Sequence, residues 1–134
     1  MDDLQGFARQ IFASQAFSQF IGAELVTASA EAVEIELAIQ DHHKQQHGFV
    51  HGGVISYLAD NAITFAGGLA LGGNALTVEF KINYLRPAVG TRLIALARPR
   101  SAGKRMAICQ CEIYVITDEA KKLCALAQGT IAPA

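Results

Sequence analysis

The chain has no tryptophan, only three prolines and three cysteines, and charged residues at just 17% of its 134 positions. An odd cysteine count does not make a disulfide framework. Cys109 and Cys111 stand two apart in a strand-like segment, so they share a face and read as small hydrophobes. A Cys-x-Cys metal pair is the other reading, but no further cysteine stands at ligand spacing. Thiols without a framework suit a reducing cytoplasm, the expected location. There is no block of like charges and no basic run, and the net charge is −1, so nucleic acid is not an expected partner. No window approaches ~18 uninterrupted apolar residues, so no membrane span is expected. The start, Met1-Asp2-Asp3, is acidic and lacks the basic, then apolar, pattern of a signal peptide.

What is abundant is apolar: 51% of the residues. That excludes disorder, and 134 residues make one domain, 1–134, with a real core. So much apolar surface on so short a chain points to some of it being covered by another subunit. Leu4, Phe7, Ala8, Ile11, Phe12, Phe17 and Phe20 predict an amphipathic helix over 2–20, broken near Ser14 and ended by Gly22. Strands are expected at Leu25–Ser29 and Val33–Gln40, the second alternating strictly, with a polar loop over 41–47. From Gly53 to about Leu71 apolar residues cover almost the whole helical wheel, the mark of a central buried helix. The period then switches to two: Leu76, Val78, Phe80, Ile82 and Tyr84 are expected on one face of a strand. Further strands are expected over Thr91–Arg98, Met106–Thr117 and Lys122–Ile131, with turns at 99–104 and 118–121. Consecutive strands on short turns make an antiparallel sheet, and one helix must fill its curl: an α+β architecture of five to six strands around one long buried helix, with an N-terminal helix.

The chemistry concentrates in Gln45-Gln46-His47-Gly48-Phe49-Val50-His51-Gly52-Gly53 and the helix that follows. A helix N-terminus presents unpaired amides and partial positive charge, and glycine lets a ligand approach the backbone. Gly52-Gly53 therefore suits an oxyanion hole, or else is a plain helix-entry turn. Asp60 is the one carboxylate inside the apolar helix, expensive to bury unless paired or used. Its structural alternative is an aspartate held by Asn61, Thr64 or a backbone amide. His51 could be a base, but just before a helix it more naturally positions the turn through a backbone hydrogen bond. The histidines at 42, 43, 47 and 51 raise a zinc reading, which Gly48, Gly52 and Gly53 oppose by denying the run a helix.

His51-Gly52-Gly53 opening the helix, Leu58-Ala59-Asp60 within it, and Thr77-x5-Asn83-Tyr84-x2-Pro87 after it resemble the hotdog-fold acyl-CoA thioesterases of the PaaI type, over roughly residues 20–132. The resemblance implies that Gly52 polarises a thioester carbonyl, that Asp60 is nucleophile or general base, and that Thr77 orients it or the water. Six residues before the histidine the family commonly has Asn; here Gln45 keeps the amide with one more methylene. His51, Gly53, Phe49 and Arg86 are the candidate substrate contacts, with no metal and no cofactor beyond the CoA of the substrate. Phe49, Tyr57 and Phe65 could line an acyl pocket or belong to the core. No phosphate-cradling loop appears, so Arg86, Arg98, Arg100, Lys104 and Arg105 could meet the CoA phosphates, or merely solubilise.

Eight residues of helix separate Gly52 from Asp60 by about 12 Å. Both must come within about 3 Å of one reacting carbon or its water. The site is therefore expected to combine Gly52 of one subunit with Asp60 of another, in a homodimer that the resemblance extends to a dimer of dimers. A non-catalytic acyl-CoA-binding module of the same fold is the alternative function. A hydratase would need a His/Asp pair, and no histidine follows His51.

Overall fold

The computed structural model describes residues 2–134; Met1 and the side chain of Asp2, in the acidic start, lie outside the described residues. The element order is α1 (Asp2–Ser14), α2 (Ala16–Ile21), β1 (Ala23–Ala28), β2 (Val33–Ala38), a 3-10 turn at Asp41–His43, α3 (Gly52–Leu71), β3 (Ala75–Tyr84), β4 (Arg92–Ala102), β5 (Ala107–Thr117) and β6 (Ala120–Pro133). The strands form one antiparallel sheet in the order β1-β2-β4-β5-β6-β3, with β1 and β3 at its edges. This is the hotdog arrangement of a sheet curled around one long helix.

Alternation decides which face meets α3. Val33, Ile35 and Leu37 of β2 are fully buried, as are Leu93, Ala95 and Ala97 of β4. β5 adds Ala107, Cys109, Cys111 and Ile113, and β6 adds Ala125 and Ile131. Against them lie Ile55, Leu58, Ala62, Ile63 and Ala66 of α3. Burying each large aliphatic side chain here contributes roughly 1.5–3 kcal/mol. Small residues let helix and sheet approach: a Cβ on Gly67 would stand 2.6 Å from Ile131 Cβ. α3 ends where Gly72 takes φ 90° and its N–H caps the Gly68 carbonyl. By length and composition α3 could cross a membrane, yet 61% of its apolar window is taken up inside this fold. All three cysteines are free, and burial pushes Cys109 and Cys124 up to about 11 and Cys111 to about 12. They are protonated packing groups, unsuited to nucleophilic work.

Three expectations need correcting. The first strand begins at Ala23, two residues early, straight from the left-handed Gly22 cap. β4 runs through Pro99 to Ala102, where a turn had been expected, because a register shift between Pro99 and Ser101 excuses the missing donor. Most consequential, Leu76 and Val78 do not share a face with Phe80 and Ile82. Val78 is the extra residue of a bulge between Thr77 and Glu79, leaving Leu76 and Val78 64% and 63% exposed. Ala75, Thr77, Phe80 and Ile82 are the less exposed residues of the strand, and Ala75, Phe80 and Ile82 pack on the core.

Candidate active site

Two clusters stand on α3, about two turns apart. The first is its N-terminus, reached through a loop that the buried His43 anchors. His43 Nε2 lies 2.8 Å from the Ile21 carbonyl, its Nδ1 accepts from the Gln40 N–H, and its own carbonyl accepts from the His51 N–H at 2.8 Å. With both ring nitrogens taken by backbone, His43 is no metal ligand. Among the described residues no group of three His, Cys, Asp or Glu side chains is placed to hold a metal ion.

His51 is the N-cap of α3, its Nδ1 accepting the Gly53 N–H at 2.8 Å. That bond assigns His51 to the turn, withdraws the Gly53 amide, and leaves the Gly52 N–H without a partner among the described residues. The Tyr84 hydroxyl donates to the Gly52 carbonyl at 3.0 Å and lies 2.6 Å from Ser56 Oγ. A cleft of about 530 Å³ opens in front of this amide, and Gln45, Phe49, Gly52, Gly53, Tyr84 and Arg86 line it. Gln45 is occupied within its own loop, where Oε1 accepts from the His47 and Phe49 N–H groups.

The second cluster surrounds Asp60, which is half-buried on the α3 face that turns to β3. Thr77 Oγ1 donates to Asp60 Oδ1 at 2.6 Å, and Thr64 Oγ1 lies 2.7 Å from Thr77 Oγ1 and 3.4 Å from Asp60 Oδ1. Thr64 also donates to the Asp60 carbonyl at 2.7 Å. Asp60 Oδ2 has no hydrogen-bond partner among the described residues and remains free to accept a proton or attack. Asn61 does not hold the aspartate. It joins Gln15, Ser18 and Tyr57 in a separate polar cluster beneath α2, in which burial raises the Tyr57 hydroxyl.

The predicted residues thus divide. Gly52, Gly53, His51, Gln45, Phe49 and Arg86 gather at the helix start, while Asp60 and Thr77 stand apart from them. Arg98 and Arg100 join Lys81 in a groove of about 370 Å³ on the outer sheet face, and Lys104 and Arg105 lie in the β4–β5 turn, so the five cations form no single rim. Phe65 is core, against Phe12, and Tyr57 packs edge-on against Phe17. Tyr84 and Ser56 are functional contacts that the sequence alone does not reveal, although Tyr84 lies in the Asn83-Tyr84-x2-Pro87 stretch. Their link spans 28 residues, and no local spacing announces it.

The sequence matches the thioesterase superfamily over residues 47–121. It is 30% identical to 1,4-dihydroxy-2-naphthoyl-CoA hydrolase of Escherichia coli, over 76% of this chain and 74% of that one. Among solved structures, a thioesterase family protein from Silicibacter pomeroyi superposes with a TM-score of 0.88 at 31% identity, covering 92% of this chain and 93% of its own. A thioesterase from Haemophilus influenzae does so with 0.80 at 27%, covering 92% and 85%.

Proposed function

Since the chain belongs to the thioesterase superfamily and is a thioester hydrolase, we propose that it cleaves an acyl-CoA to a carboxylic acid and CoA in a site shared by two copies. The observation that carries this reading is that, among the described residues, Asp60 is held at one oxygen and free at the other, on the helix whose first amide is unpaired. Asp60 Oδ2 takes a proton from water as the water oxygen bonds to the carbonyl carbon. The carbonyl oxygen becomes an oxyanion and accepts from the Gly52 N–H, a donor of the kind worth about 3 kcal/mol in the transition state. On collapse the C–S bond breaks and the CoA thiolate recovers the proton from Asp60. Attack by the same oxygen through an anhydride is the other route open to this carboxylate.

The eight-residue separation, about 12 Å along the helix, requires Gly52 and Asp60 to come from different copies. The free edge of β3 supports this, since it carries the exposed Leu76 and Val78 beside Thr77. Pairing two such edges would cover both residues. Arg86, in the Gly52 cleft, is the cation placed for the CoA end. The test is a panel of acyl-CoA thioesters with a thiol reporter. Wild type should release thiol, and Asp60→Asn should stay folded with turnover reduced by orders of magnitude. Binding without release across the panel, or near wild-type rates in Asp60→Asn, refutes the proposal in favour of a binding module.

A further inference from the structure

A second hollow, of about 100 Å³, lies between α1 and α3 and is distinct from the Gly52 cleft. Phe7 and Ile11 wall it from α1, Phe65 and Leu69 from α3, and Ala75 from the start of β3. Gln15, at its α1 end, has its carboxamide tied to Ser18 and Asn61, so this polar group is already engaged. Thr64 is common to the hollow and the catalytic cluster: it lines the one and lies 3.4 Å from Asp60 Oδ1 in the other. The apolar space therefore begins one side chain from the proposed reacting carboxylate.

We propose that this hollow receives the acyl tail of the thioester, and that Phe7 and Ile11 restrict it to short acyl groups; the inference rests on the thioesterase reading above. The reacting carbonyl must sit about 3 Å from Asp60 Oδ2 or its water, which starts the acyl carbons beside Thr64. The CoA portion then runs away from the hollow, towards the Gly52 cleft and Arg86 of the second copy. One copy reads the acid and the other reads the carrier. A volume of about 100 Å³ is about two-thirds of the ~150 Å³ apolar cavity that binds the six carbons of benzene, so by that scale it holds about four carbons.

Non-hydrolysable S-alkyl-CoA thioethers, from methyl to dodecyl, test this by affinity, with acyl-CoA turnover measured alongside. Each methylene that enters should tighten wild-type binding by about fourfold, from ~0.8 kcal/mol per buried CH₂, with the gain ending near butyl. Phe7→Ala and Ile11→Ala should each move that cut-off to longer chains. Phe7 is 39% exposed, so its truncation spares the fold. An unmoved cut-off in both variants, or a wild-type affinity still rising to dodecyl, overturns the assignment. Thioethers that bind with the expected cut-off while no acyl-CoA is hydrolysed would refute the thioesterase reading and leave the hollow as the acyl site.

Discussion

Replacing Gly52 by proline removes one N–H group and little else. Gly52 is the first residue of α3, where a proline is tolerated because that amide has no intrahelical partner. His51, at φ −60° and ψ 135°, already has the extended backbone that a following proline demands. The new Cβ meets Tyr84, whose hydroxyl oxygen would stand 3.3 Å from it. Gly52→Ala creates that same contact while keeping the N–H, and so serves as its control. Loss of one oxyanion donor corresponds to about 2.7–4 kcal/mol, or 10²–10³ in kcat. Gly52→Pro should fall by that much, with its melting transition retained, and Gly52→Ala should fall far less. Mixing Gly52→Pro with Asp60→Asn then tests the shared site. After random reassociation about half the dimers are mixed, each with one intact site of two, so roughly a quarter of wild-type activity should return. Equal losses in the proline and alanine variants refute the oxyanion role. A mixture that stays at the level of its parents refutes the division between subunits.

Thr77→Ala removes the 2.6 Å bond to Asp60. A hydrogen bond to a charged group is worth about 1.5–3 kcal/mol, so kcat should drop by roughly 10- to 150-fold. Thr77→Ser should recover most of that, and failure of the serine would show that the methyl packing matters instead. Gly67→Ala drives a Cβ into Ile131, at 2.6–2.8 Å from three of its carbons. It should destabilise the fold by about 1–3 kcal/mol in a denaturant titration, and an unchanged midpoint would refute the close approach. On the sheet's outer face, a hydrogen bond with Glu36, then burial, then repulsion by Glu36 raise Glu34 from 4.5 to about 7. A raised carboxyl contributes stability that is fully present below pH 4.5 and is lost as pH rises through about 7. Glu34→Gln should therefore gain on wild type in thermal melts between those limits, modestly because the group is part-exposed. A difference identical at both ends of the window would refute the coupling.

Local periodicity was enough to announce the apolar α3, the alternating β2 and β5, and the break between α1 and α2. Each of these follows from a period of 3.6 or 2 read over neighbouring residues. The same regularity carried the sharpest functional expectation. Helical rise alone sets Gly52 and Asp60 too far apart for one chain to join them. Motif residues told which side chains to watch, and a helix start told why an amide there would be free.

Tertiary pairing decided the rest. The strand after α3 reads as unbroken alternation, yet its register against β6 slips at Val78. That one residue is the reason Thr77 comes to Asp60 while Phe80 and Ile82 still pack on the core. The tie from Tyr84 to Gly52 and the hollow between α1 and α3 join residues distant in sequence. The period of a segment is a property of its own residues; a register is settled between two strands, and only the folded sheet contains both.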